Sequence, residues 1–190
     1  IGYGRYLLVL FERAEKDWQW RTHEDWKLLY GRWGADIRRV IDWALKEDAD
    51  LDLGVRLTAS ATTFWNEFSS LAESRYRVSL ALDALEKLPK HDPVLRLKLY
   101  WAHAANLSFG KRLDGDLFRA LRESRKLAVQ VGNTEDFFRT TMGLASILGS
   151  FGCLDETQAL MVELRNVMET ARDYSAAPEV ARQELMIGFY

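Results

Sequence analysis

Residues 143–161 read GLASILGSFGCLDETQALM, and the parsing of this stretch decides the fold. It holds Cys153, the chain's one cysteine, directly after a glycine-rich run, so it is either a reactive loop or the bend between two helices. Leu144, Ala145 and Leu148 recur at helical spacing before the bend, and Met161 and Leu164 do so after it. Gly152 falls between the two stripes, where glycine suits a helix C-terminus. Asp155 is placed to cap the second helix, with Glu156 and Thr157 in its first turn. A nucleophilic cysteine needs a base to make the thiolate and a further group to orient that base. His23, His91 and His103 stand in no local signature of that kind. Cys153 is therefore expected to be a small buried apolar residue at a structural bend.

The same period runs outward in both directions. Only three prolines occur, and no strand-like alternation is bounded by hairpin turns. A first helix is expected over about Tyr3 to Trp20, with Leu7, Leu8, Phe11 and Ala14 on one stripe. Thr22 reads as the N-cap of a second helix beginning THEDW, with the Asp25 carboxylate able to reach back to the exposed amides. A third runs from Asp36 to Lys46 with Ile37, Val40, Ile41 and Ala44 facing inward, Trp43 near the edge, and Gly31 and Gly34 allowing the turn before it. From Asp50 the pattern repeats. Helices at about Leu51 to Phe68, Val94 to Phe109 and Glu135 to Phe151 are followed by partners at about Ala72 to Leu88, Gly115 to Val131 and Glu156 to Arg172. Another begins near Pro178, since proline suits a first turn.

The leading helices recur about every forty residues, the period of stacked helical hairpins, which cannot bury their apolar faces singly. The expected fold is all-α: a tetratricopeptide-like α-solenoid of antiparallel hairpins, about eight helices in a right-handed curved array. Residues 1–48 form an N-terminal helical segment packing on the array, and residues 49–190 form the repeats, with hairpins at about 51–88, 92–131 and 135–172 and part of a fourth from 178.

At 190 residues the chain can bury a substantial core. Its 26 basic and 28 acidic residues nearly cancel, so no strong field draws in nucleic acid or an anionic membrane. No signal peptide and no unbroken apolar run of about 18 residues appears, and a lone cysteine makes no internal disulfide. A reducing cytoplasm fits best. The chain opens at Ile1 and closes on LMIGFY, ends that read as cut from a longer polypeptide.

Ser108 to Asp116, SFGKRLDGD, combines glycines with Lys111 and Arg112 but lacks the strand, spacing and following hydroxyl of a phosphate loop. It reads as an interhelical turn with Asp114 as cap. No dinucleotide fingerprint, zinc spacing or HExxH occurs, so no cofactor or metal is expected. Arg119, Arg122, Arg125 and Lys126 form a basic stripe, read as a solvated face that Glu123 partly neutralises or as a grip for an acidic peptide. More informative is the helix after Val94. Its Arg96, Tyr100, His103 and Asn106 lie opposite Leu95, Leu99, Ala102 and Ala105, and leading helices of such arrays line the concave surface. With Thr58, Thr62 and Asn66 they form the candidate recognition patch; the competing reading gives His103 and Asn106 to packing hydrogen bonds. Seven tryptophans, five before Asp50, read as core and packing surface.

Three segments carry a resemblance: Tyr3 to Glu15, YGRYLLVLFERAE; Gly34 to Leu45, GADIRRVIDWAL; and Phe64 to Leu82, FWNEFSSLAESRYRVSLAL. Together, in this order, they resemble the helical C-terminal region of large bacterial regulatory ATPases. In that family a winged-helix or similar DNA-binding domain, a signal-transduction ATPase domain and a tetratricopeptide-like array occur in one polypeptide. Asp36, Ile37, Arg38, Trp43, Ala44 and Leu45 match the family pattern, while Gly34 and Ala35 depart from its front half and Ser69 replaces a common turn glycine. The resemblance implies a noncatalytic sensor or scaffold module that binds a protein segment or small effector, with nucleotide hydrolysis and DNA binding belonging upstream. The alternative is a stand-alone adaptor or homo-oligomeric scaffold using Leu185, Ile187 and Phe189 of a truncated C-terminal helix. An enzyme is disfavoured, since nothing assembles a nucleophile, base and oxyanion site.

Overall fold

A computed structural model describes residues 2–68, 70–90, 92–108, 115–171 and 180–181. Among them every regular element is helical and no strand occurs, as the apolar period predicts. The chain divides into two compact units, Ile1–Leu117 and Phe118–Tyr190. The first contains α1 (Gly2–Asp17), α2 (His23–Tyr30), α3 (Gly34–Lys46), α4 (Leu51–Ser60), α5 (Thr62–Glu67), α6 (Leu71–Lys87) and α7 (Pro93–Ser108).

The N-terminal helices form where the sequence expects them. α1 buries Gly4, Leu7, Phe11 and Ala14, a stripe at helical spacing. The Thr22 hydroxyl accepts from the Asp25 amide at 3.2 Å and donates to the Asp25 carboxylate at 2.8 Å, which caps α2. Two bonds then tie α2 to the end of α1. The buried Trp26 indole donates to the Ala14 carbonyl at 2.7 Å, and the Tyr30 hydroxyl donates to Asp17 at 2.8 Å.

The glycines before α3 act differently from the expectation. Gly31 and Gly34 both have φ of −60°, ordinary helical values within a 3-10 turn over Gly31–Trp33 and the start of α3. A Cβ on Gly31 would stand 2.7 Å from the Phe68 ring and one on Gly34 3.0 Å from the Phe64 ring. They admit aromatic rings against the backbone rather than permitting a special turn.

α4 is the centre of this unit, touching α1, α3, α6 and α7. Every residue from Leu53 to Ser60 except Arg56 is buried, and each of its fully buried large aliphatic side chains stabilises by about 1.5–3 kcal/mol. Close approach is made by glycine: a Cβ on Gly4 would lie 2.6 Å from Leu53, and one on Gly54 would lie 2.5 Å from Leu45. The single helix expected over Leu51 to Phe68 is instead two, broken at Ala61. Its hydroxyls supply the reason. Thr58, Ser60 and Thr62 donate to the carbonyls of Gly54, Leu57 and Ala59 at 2.8, 3.2 and 3.1 Å, competing with the helical ladder.

An ionic network joins α3 to α6. Arg38 meets Glu73 with two parallel bonds of 2.7 and 2.8 Å, and Arg77 reaches Glu73 at 2.9 Å and Asp42 at 2.8 Å. Both guanidiniums also approach the buried Trp65 ring, at 5.3 and 5.4 Å from its centroid. Burial is the largest influence on Glu73 and pushes its pKa up, but the bonds and charges of Arg38 and Arg77 outweigh it and hold the pKa below 4.5.

In the second unit α8 (Gly115–Val131), which begins at the boundary, is followed by α9 (Thr134–Ser150) and α10 (Leu154–Ala171). Leu144, Ala145 and Leu148 of α9 and Met161 and Leu164 of α10 are buried, as their spacing predicts. Gly152 has φ of +72°. The Cys153 amide bonds the Leu148 carbonyl and the Gly152 amide the Gly149 carbonyl, both at 3.0 Å, the paired closure of a left-handed helix cap. Gly132, also at φ +72°, closes α8, and Asn133 caps α9 by accepting from the Asp136 amide. Two expectations at this bend are corrected. Asp155 lies inside the first turn of α10, since the helix starts at Leu154, and Cys153 is exposed because the cap turns it outward. Residues 180–181 are helical; the rest of the helix expected near Pro178, with Leu185, Ile187 and Phe189, lies outside the described residues, as do His91 and residues 109–114.

Candidate functional site

A concavity lies where α4 begins, α6 ends and α7 begins. Pro89 disfavours a helical conformation in the residue before it, and Leu88 accordingly adopts ψ of 141° and ends α6. Asp92 then accepts from the amides of Val94 and Leu95 at 2.9 and 3.4 Å, and Pro93 occupies the first position of α7. Lys90, after Pro89, is among the residues that line a cleft of about 360 Å³. Leu85, Leu88 and Leu95 line it with apolar surface, while Asp52, Arg56, Lys90 and Asp92 supply its charges. Arg56 bonds both oxygens of Asp52, one turn earlier on α4, at 2.9 and 3.1 Å.

The residues expected to form a recognition patch are dispersed by burial. Arg96 and Tyr100 come together, with the guanidinium 5.9 Å from the ring centroid, and Arg96 pairs with Glu86 at 2.9 Å. Tyr100 and His103 are half-buried on the same helix. Asn106 is only 2% exposed; its amide donates to the Ser74 hydroxyl at 2.9 Å and its carbonyl accepts from Arg75 at 2.8 Å. It fastens α7 to α6, the packing role weighed from sequence. Thr58 is fully buried in α4, because the hydroxyl bonded to Gly54 needs no water. Thr62 is half-buried and Asn66 exposed on α5. Thr58 and Asn106 therefore leave the accessible patch, and Arg96, Tyr100, His103, Thr62 and Asn66 remain at least partly open.

The basic stripe of α8 is engaged within its own unit. Arg122 bonds Glu156 at 2.8 and 3.0 Å, Arg125 pairs with Glu163, and Lys126 stands 3.7 Å from Glu123. Arg122 and Arg125 thus fasten α8 to α10. The cleft residues were not singled out from sequence. Their signal was the run Leu88 to Pro93, in which two prolines bracket a lysine and a capping aspartate between leucine-bearing helices.

No protein-family model matches this chain, and no curated protein matches its sequence. Among the described residues, no helix is long and apolar enough to cross a membrane.

Proposed function

We propose that this chain is a noncatalytic binding module, the sensor or scaffold portion of a multidomain ATPase that regulates transcription. It takes a small effector or protein segment, and its tetratricopeptide-like helices pass occupancy to ATPase and DNA-binding domains of the same polypeptide. The observation that supports this reading is the cleft at the α4, α6 and α7 ends. Its lining joins apolar surface from Leu85, Leu88 and Leu95 to a few charged groups, the usual composition of a small-molecule site. Arg96, Tyr100 and His103 extend the proposed surface along α7. Coupling requires that the ligand bind two arrangements of the module unequally.

The natural reading frame on both sides of this chain is the direct test. A phosphate-loop ATPase domain upstream, whose nucleotide turnover or DNA affinity changes when the cleft is blocked by Leu88→Trp, is the expected result. Turnover and DNA affinity indifferent to that substitution would overturn the sensor reading.

A stand-alone adaptor or self-associating scaffold is the second reading, supported by one surface. Tyr3, Tyr6 and Val9, spaced three apart on α1, are 50%, 50% and 65% exposed, and Tyr6 meets Trp33 edge-on at 5.7 Å. Light scattering separates the two readings, since a concentration-dependent mass abolished by Tyr6→Glu with Val9→Glu belongs to the scaffold alone.

A further inference from the structure

We infer that the cleft binds a small organic anion: an apolar chain that ends in a carboxylate. This rests on the reading of the cleft as a ligand site and adds the class of ligand. The reason is the charge balance among the groups that line it. Asp52 is taken by Arg56, and Asp92 by the first amides of α7. Nearby, Lys87 faces Asp48 at 3.7 Å and Arg96 faces Glu86 at 2.9 Å. Lys90 is the exception: it lines the cleft, yet no carboxylate among the described residues stands within ion-pair distance of it.

An ammonium beside leucine surface discriminates among otherwise similar chains. A neutral chain gains only the burial of its methylenes against Leu85, Leu88 and Leu95. A chain ending in a carboxylate adds a charge-assisted hydrogen bond to Lys90, whereas one ending in an ammonium meets like charge. The amides at the start of α7 do not serve the anion, because Asp92 already occupies two of them. Size limits the ligand as well. A cleft of about 360 Å³ lies near the lower end of small-molecule sites, roughly 300–1,000 Å³, and suits one short chain better than a nucleotide cofactor. A free aliphatic acid and the carboxyl end of a leucine-rich peptide share this chemistry.

The test uses four probes on the whole chain: octanoate, octan-1-ol, octylammonium and acetyl-Leu-Leu, each below the concentration at which it aggregates. Binding is read by calorimetry and by the methyl resonances of Leu85, Leu88 and Leu95. Octanoate is expected to bind about tenfold more tightly than octylammonium, and Lys90→Glu to reverse that order while leaving octan-1-ol unchanged. Octanoate stronger than acetyl-Leu-Leu assigns a free acid, and the opposite order assigns a peptide end; both support the anion. Equal affinity for all charge types, or octanoate binding untouched by Lys90→Glu, overturns the anion inference and leaves the cleft standing as a site. If no probe shifts the leucine methyls, or if Leu88→Trp, folded by circular dichroism, leaves binding unchanged, the cleft reading itself fails.

Discussion

Gly54 and Gly152 are glycines for opposite reasons, and their substitutions separate space from backbone conformation. At Gly54 the backbone is helical, but an added Cβ would stand 2.5 and 2.7 Å from two carbons of Leu45 and 3.0 Å from the Cβ of Ala44. At Gly152 nothing lies within 4 Å of an added Cβ, yet φ is +72°. Gly54→Ala should therefore destabilise by about 1–3 kcal/mol through overpacking at the α3–α4 crossing, and Gly152→Ala by about 1 kcal/mol through the left-handed conformation. Urea midpoints with unchanged slopes measure both, and a Gly54→Ala variant as stable as the parent would refute the crossing argument. Only one of these roles was legible in the sequence. Gly152 ends an apolar stripe, a local signal, whereas Gly54 inside DLGVRL carries no local mark of the Leu45 side chain that presses on it. Cys153 was misread for a related reason: its exposure follows from the direction of the cap, which composition does not encode.

Helices were legible because their apolar residues repeat, but their joints were not. Thr58, Ser60 and Thr62 each follow helical spacing, and only their hydroxyl bonds to preceding carbonyls reveal the break at Ala61. The network between α3 and α6 was hidden in a similar way, since Arg38 and Asp42 are separated by a long stretch of chain from Glu73 and Arg77. It now gives a physical role to residues in two of the segments that carried the resemblance. Glu73→Gln leaves Arg77, whose side chain is only 6% exposed, with a weakened counter-charge. The expected cost is about 1–3 kcal/mol at pH 7, below that of breaking a fully buried pair because Glu73 keeps some solvent contact. Its pH dependence follows from linkage. The folded carboxyl has a pKa below the ordinary 4.5, so its contribution is present above that value and is lost as pH falls through the folded pKa. Urea unfolding should show the parent and Glu73→Gln converging as the pH is taken below 4.5 and through the folded pKa; a gap that stays constant as the pH falls would assign the loss to packing instead.

Across the whole molecule, the forty-residue period describes the helices better than it describes what they surround. In the first unit the buried cluster runs from Leu7 to Leu99, so α1 and α3 share a core with α6 and α7. The common member is α4. A repeat reading treats α4 as the first array helix and assigns Thr58 to an open face; its burial arises because helices from both earlier and later in the sequence close around it. The cleft was illegible for the same reason, as it requires the ends of α4, α6 and α7 to meet after folding. This arrangement predicts where the first unit opens last. Amides of α4 have neighbours on several sides, and Val55 and Leu57 retain no exposed surface, whereas the turn before α2 leaves Trp18 41% and Trp20 85% exposed. Local opening is cheapest where few buried contacts must break, and the most protected amides approach the global unfolding free energy. Hydrogen exchange followed by mass spectrometry should therefore find peptides spanning Leu53 to Ala59 the slowest in the first unit, and the turn from Trp18 to Thr22 exchanging at least about a hundredfold faster. Gly54→Ala should accelerate the α4 peptides in proportion to the stability it removes, because their exchange then tracks global unfolding. If α4 exchanged as fast as that turn, it would not be the centre of the fold.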